Sequence, residues 1–258
     1  MTAAAKKSFG QHFLADPNIL GVIGRLAELE TDDIVLEIGP GLGVLTTFLA
    51  DRVALVHTVE VDRELEPQLA GAIGDRENVR LVFGDALRLD LAALAPAPRK
   101  QVANLPYNIA TPLIAESLSG LPAVDLWCVM LQREVADRFF ASPGTKAYGS
   151  VSVLIQLATE RTGFHAVART VFRPQPNVDS ALLAFRRREL PVGFAEIKRV
   201  VEGAFSHRRK TLANSLQLAG VAEREPAVSA LAAIGRRADS RAEALEPAEF
   251  VDLVAALP

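Results

Sequence analysis

"DIVLEIGPGLGVLTTFL", Asp33 to Leu49, holds an apolar β-type run, a turn with glycines at 39, 41 and 43, and then Leu45, Phe48 and Leu49 at helical spacing. Such a run is consistent with a strand buried on both faces, and the glycines let a ligand approach the backbone. The same rhythm returns in "VALVHTVE" (53–60), "NVRLVFGD" (78–85), "KQVANLP" (100–106) and "VDLWCVML" (124–131). Strands alternating with helical segments predict a mostly parallel sheet covered by helices on both faces. Further on, "ERTGFHAVA" (160–168) and "SALLAFRRR" (180–188) flank the Pro-rich "VFRPQPNVDS" and predict an antiparallel end hairpin. Strand signals stop after Arg188; "FAEIKRVVEGAFSHRRKTLANSLQLAG" and "EPAEFVDLVAAL" have helical spacing, with Pro191, Pro226 and Pro247 near helix starts. The expected architecture is a Rossmann-like α/β domain over residues 1–187 and a small all-α domain over 188–258.

Composition narrows the class. The 258 residues suffice for one sizeable α/β core with an appendage. The single cysteine, Cys128, excludes an internal disulfide and a thiolate-rich metal cluster; no metal is expected, and a reducing cytoplasm fits. No apolar run approaches the ~20 residues of a membrane span, and "MTAAAKKSFGQHF" has too short an apolar stretch for a signal peptide. The net charge of −3 divides unevenly, with −5 on residues 1–185 and +2 on 186–258. Eight basic against three acidic residues lie between Arg186 and Lys210, a candidate polyanion contact.

Three successive strand ends carry polar chemistry. The first has the glycine turn, the second ends at Glu60, whose carboxylate can accept from ribose hydroxyls, and the third ends "GDA", placing Asp85 to accept from an adenine amine. Val44 stands where the dinucleotide fingerprint would need its third small residue, which disfavours a nicotinamide enzyme. Each of these residues alone reads more simply as a turn or a helix cap. Together, at the C-terminal ends of a doubly wound sheet, they converge on the crevice where such sheets bind ligands. The fourth strand ends "NLPY": Pro106 fixes its own φ and forces Leu105 to be extended, so Asn104 and Tyr107 sit on stiff backbone.

In this order "EIGPGLG", the acid at 60, "GDA" and "NLPY" resemble class I S-adenosylmethionine methyltransferases that act on an exocyclic base amine. With "KKSFGQHFL", "QREVADRF", "KAYGSVSVLIQ", "FRPQPNVDSALL" and "FSHRRKTLANSL", the chain resembles the bacterial small-subunit (16S) ribosomal RNA adenine N6,N6-dimethyltransferases of the KsgA type. The resemblance weakens after Gly220. It implies S-adenosyl-L-methionine as cofactor, held by His12, Leu14, Gly39, Gly41, Glu60, Asp85 and Asn104. The side-chain oxygen of Asn104 and the backbone carbonyl of Leu105 or Pro106 would accept the two N6 protons, and Tyr107 and Phe172 would stack on the extruded adenine. His12 departs from the pattern, since relatives commonly carry Asn there; its contact would run through the imidazole or the backbone.

For the substrate side, Arg208, Arg209 and Lys210 in the first turns of a helix, with Lys6, Lys7 and Arg186, Arg187 and Arg188, would form the RNA grip. The implied partners are the small (30S) ribosomal subunit and its 16S rRNA, with two methyls on each of two adjacent adenosines near the RNA's 3′ end. A monomer in the cytoplasm, away from membranes, is expected. Two other readings compete: a large-subunit adenine methyltransferase of the macrolide-resistance kind, which the full "FRPQPNVDSALL" and "FSHRRKTLANSL" disfavour, and a non-catalytic nucleic-acid-binding module, which an intact cofactor pocket disfavours.

Overall fold

The computed structural model describes residues 11–258, so Lys6 and Lys7 lie outside it. In chain order the strands are β1 (Phe13–Leu14), β2 (Ile34–Ile38), β3 (Leu55–Glu60), β4 (Val79–Phe83), β5 (Lys100–Asn104), β6 (Leu126–Gln132), β7 (Thr159–Val167), β8 (Phe172–Arg173) and β9 (Ser180–Arg187). The helices are α1 (Asn18–Leu26), α2 (Val44–Ala50), α3 (Glu66–Ile73), α4 (Ala110–Gly120), α5 (Arg133–Phe139), α6 (Ser150–Ala158), α7 (Phe194–Phe205), α8 (Leu212–Leu218), α9 (Arg224–Ala233) and α10 (Pro247–Ala256). None is long and apolar enough to cross a membrane among the described residues.

Seven strands form one sheet in the order β4-β3-β2-β5-β6-β9-β7. The pairs from β4 through β6 are parallel and β9 runs antiparallel to β6. This is the mostly parallel sheet that the apolar runs predict. Strand order reverses between β2 and β5, the switch point where open α/β sheets bind ligands. The ladder between those two strands ends at Leu36 opposite Gln101. β1 and β8 pair separately, Leu14 opposite Phe172.

Alternation along the strands sorts residues onto two faces. Val35, Val56, Val102, Cys128 and Met130 are buried in one cluster with Ile19 and Ile23 of α1 and Leu45 and Leu49 of α2. Each large aliphatic so buried stabilises the fold by roughly 1.5–3 kcal/mol. On the other face Leu36, Gln101, Trp127 and Phe185 lie in one row across four strands. Trp127 stacks on Phe185 and donates its indole N–H to Ser117 Oγ of α4 at 2.9 Å. At the opposite, N-terminal strand ends, the buried Lys100 donates to Asp33 at 2.7 Å and to the Glu28 carbonyl.

The chain divides into two compact units, residues up to Ala136 with Arg161–Arg187, and Asp137–Glu160 with Arg188–Pro258. The helical unit is therefore not a continuous 188–258 segment: it also takes in α6. That helix is almost wholly apolar, "SVSVLIQLA", and packs with α7 and α10. Just before it, the buried Tyr148 donates to the Leu245 carbonyl at 2.9 Å and meets Phe205 edge-on at 5.9 Å, while Phe205 meets Phe250 at the same distance. Pro247 begins α10 at a position where a missing N–H costs nothing.

Candidate active site

The site is built at the C-terminal ends of β2, β3, β4 and β5. After β2 the chain turns through Gly39 (φ 75°), Gly41 (φ 59°) and Gly43 (φ 80°), all left-handed. A Cβ on Gly41 would stand 2.8 Å from the Phe13 ring, and one on Gly39 would stand 3.2 Å from Pro106. Only glycine keeps this cradle open. Two lobes open beside it, sharing Gly39, Glu60, Val61 and Pro106; the one towards Asp85 and Asn108 has a volume of about 260 Å³.

Glu60, 4 % exposed, receives Gly41 N–H on Oε2 at 3.2 Å and the Val61 and Asp62 N–H groups on Oε1, both at 2.9 Å. Burial pushes its pKa up, while the three amides and the Asp62 charge act in opposite directions on it. A carboxylate offers about four lone-pair sites, so one remains for a ligand hydroxyl. Asp85 accepts from Leu87 N–H at 3.0 Å and pairs with Arg88 at 3.4 Å, capping its own turn while lining the larger lobe.

Asn104 Nδ2 donates to the His12 carbonyl at 2.9 Å. A carbonyl accepts only from a donor, so this bond fixes which end of the amide is nitrogen and turns Oδ1 the other way. Leu105 N–H donates to Met130 O at 3.2 Å. The Pro106 carbonyl already receives Ile109 and Ala110 N–H at 3.2 and 3.1 Å, opening α4, whereas no donor reaches the Leu105 carbonyl among the described residues. Tyr107 shares a 2.6 Å hydrogen bond with Ser180 Oγ, and its ring lies 5.4 Å from that of His12. His12 Nδ1 donates to the Pro174 carbonyl at 2.8 Å, so imidazole and backbone both serve to hold this wall.

Several expected site residues stand elsewhere. Phe172 is 0 % exposed and belongs to the apolar cluster under α1 and α2, because its pairing with Leu14 turns the ring into the core; it offers no face for stacking. Arg187 donates to the carbonyls of Val124, Leu118 and Leu121 at 2.6–2.9 Å and lies over Trp127, so its guanidinium ties strand to loop and is not a phosphate contact. Arg186 pairs with Glu28 and Arg188 with Glu160, at 2.7 and 2.9 Å. Arg208, Arg209 and Lys210 lie in the exposed turn between α7 and α8 and not in the first turns of a helix, since α8 starts only at Leu212 behind the Thr211 cap. Arg208 is drawn back to the carbonyls of Lys146 and Tyr148, both at 3.2 Å. Arg209 and Lys210 have no ion-pair partner among the described residues.

Glu37 is the residue that motif reading passed over, although an acid inside an apolar strand is itself a signal. It is 1 % exposed, lines the cradle and accepts from Thr46 Oγ1 at 2.6 Å. Burial raises its pKa to about 7, with the Thr46 hydrogen bond opposing. An unfolded Glu ionises near 4.5, so the folded state holds the extra proton between the two values, and folding is penalised progressively as pH rises from 4.5 to 7 and fully above. Glu37→Gln keeps an acceptor for Thr46 without the charge. Urea denaturation at pH 8 should find it more stable than wild type by roughly 3 kcal/mol, with no gain at pH 4; equal stability at pH 8 would contradict the buried, uncompensated carboxylate.

The model of the family described as "Ribosomal RNA adenine dimethylase" matches residues 2–257. The chain belongs to that family. Curated relatives named ribosomal RNA small subunit methyltransferase A agree: one from Rubrobacter xylanophilus is 47 % identical over 98 % of this chain and 95 % of its own, and one from Streptococcus pneumoniae is 45 % identical over 98 % and 91 %. Among solved structures, a dimethyladenosine transferase from Plasmodium falciparum superposes with a TM-score of 0.79 at 26 % identity, over 94 % of this chain and 96 % of that one. The 23S rRNA methyltransferase ErmE gives 0.67 at 28 %, over 95 % and 99 %. The cofactor of this dimethylase is S-adenosyl-L-methionine. The cradle free of side chains at Gly39 and Gly41, the remaining lone pair of Glu60 and the Asp85 carboxylate fit its amino-acid, ribose and adenine parts.

Proposed function

We propose that the chain dimethylates N6 of two adjacent adenosines near the 3′ end of 16S rRNA in the small subunit, acting in the cytoplasm as a monomer. The observation that carries this reading is the Asn104–His12 bond, which presents Oδ1 as an acceptor at the end of β5, beside the cofactor cradle. The Leu105 carbonyl is the second acceptor, because Pro106 O is engaged in the α4 turn. When bound, the cofactor supplies a methyl group on a positively charged sulfonium, activated for transfer. Adenine N6 is a poor nucleophile because its lone pair is delocalised into the ring. In the first transfer two acceptors on its protons hold the amine so that this lone pair points out of the ring plane, an alignment effect; in the second the one remaining proton keeps one of them. Tyr107, fixed by Ser180, provides a ring for the extruded base, a stack worth ~1–3 kcal/mol. No strong base is required, since the proton leaves an amine already made acidic by methylation.

Incubation with labelled cofactor and undermethylated small subunits, large subunits or free 16S rRNA tests the assignment. Label on adenosines of small-subunit RNA is the expected result; label on the large subunit, or none, would overturn it.

The helical unit supplies the RNA contacts in this reading, through Arg209 and Lys210. Their joint replacement by Ala should weaken subunit binding and flatten the dependence of log affinity on log salt by about 1.4, at roughly 0.7 per lost phosphate contact. Cofactor affinity should not change. Filter binding across a salt series reads both quantities, and an unaltered slope would make the turn a solvated surface only.

A further inference from the structure

A second cavity, of about 210 Å³, lies under α4 and shares Ala86 with the lobe towards Asp85. Its walls are mostly apolar, from Leu87, Leu89 and Leu91 of the segment after β4, Leu113 of α4 and Leu121 just after it. Gln101 of β5 lines it, 1 % exposed, and among the described residues neither its Nε2 nor its Oε1 has a hydrogen-bond partner. A buried carboxamide with both ends unpaired is costly and uncommon. The neighbouring polar group does not relieve it: Ser117 Oγ accepts from Trp127 and donates to the Ile114 carbonyl, and makes no hydrogen bond to Gln101. Among the described residues no lysine, arginine or histidine lines the cavity, while Asp90 and Glu116 do.

We propose that this cavity is a binding site for a neutral flat ring with a donor and an acceptor side by side, the chemistry of a nucleobase edge or an aromatic carboxamide, read by Gln101. A carboxamide offers N–H and C=O in the spacing that such an edge complements, as glutamine does with adenine. The leucine walls suit the ring faces. With Asp90 on its lining and no cation among the described lining residues, the cavity favours a base or nucleoside over a nucleotide. None of the groups that hold the cofactor or the substrate amine faces this cavity.

Trp127 is the chain's single tryptophan, and it stands beside Gln101 in the sheet and is bonded to Ser117 of the cavity wall. Its emission therefore reports occupancy. With S-adenosylhomocysteine saturating the cradle, adenine and nicotinamide are titrated separately, with adenosine monophosphate as the charged control. A saturable change with adenine or nicotinamide, but not with the monophosphate, is expected. Gln101→Leu should weaken it by about tenfold or more while leaving methyl transfer unchanged. Gly120→Leu gives an independent arm: Gly120 lines the cavity, an added Cβ there meets nothing within 4 Å, and the longer side chain narrows the space. It should also weaken the response, and it decides the matter if Gln101→Leu does not fold. Absence of a saturable response to both probes would mean that Gln101 is met by water alone. That result, or unchanged probe affinity in the folded variants, would overturn the proposal.

Discussion

Asn104→Ala lowers the rate of methyl transfer by roughly 10²- to 10³-fold, with the fold and the cofactor affinity nearly intact. The magnitude is that of losing one aimed polar group at a reacting centre. Two consequences follow from its removal: the acceptor for one N6 proton disappears, and the His12 carbonyl loses its donor. Asn104→Asp separates them. The carboxylate still accepts, but it repels the His12 carbonyl it faces and cannot hold the amide's orientation, so this variant should be impaired as well. Single-turnover assays with saturating cofactor, beside calorimetric titration of S-adenosylmethionine, measure the split. Wild-type turnover in Asn104→Ala would contradict the alignment role.

Lys100→Met destabilises the protein by about 3–5 kcal/mol, the usual consequence of breaking a buried pair by removing one partner. Lys100 Nζ bonds Asp33 at 2.7 Å and the Glu28 carbonyl, and both charged side chains are more than nine-tenths buried. Without the ammonium, the Asp33 carboxylate keeps, among the described residues, only the Glu30 N–H at 2.6 Å. A fall of roughly 10 °C in melting temperature is expected. Asp33→Asn in the Lys100→Met background should recover part of it, because the orphaned charge is gone. The pair sits at the N-terminal strand ends, opposite the cradle, so cofactor affinity in the folded fraction should hold. A melting temperature within a degree or two of wild type would show that the pair is solvated.

The parallel sheet was legible because each strand is written locally, as a short apolar run with a turn after it. The cradle was legible for the same reason: the three glycines, Glu60, Asp85 and "NLPY" each end a strand, and topology does the rest. What sequence reading missed depends on partners far along the chain. Arg187 reads as one of three exposed arginines until carbonyls 63 to 69 residues away are seen to surround it. Phe172 follows the stacking motif, yet its pairing with β1, more than 150 residues earlier, takes the ring into the core. The segment of α6 belongs with the helical unit through contacts such as Tyr148 to Leu245, 97 residues apart. Glu37 carried a local signal, an acid in an apolar strand, whose meaning lies in burial that the sequence alone does not display.

The mechanism rests on two acceptors, and a structure of the protein with S-adenosylhomocysteine and a 16S rRNA fragment bearing the target loop locates them directly. The account predicts the extruded adenine N6 within about 2.7–3.2 Å of both Asn104 Oδ1 and the Leu105 carbonyl, with Asn104 Nδ2 still on His12 O and Pro106 O still in the α4 turn. An N6 bonded to the Pro106 carbonyl, or facing Asn104 Nδ2, would contradict it.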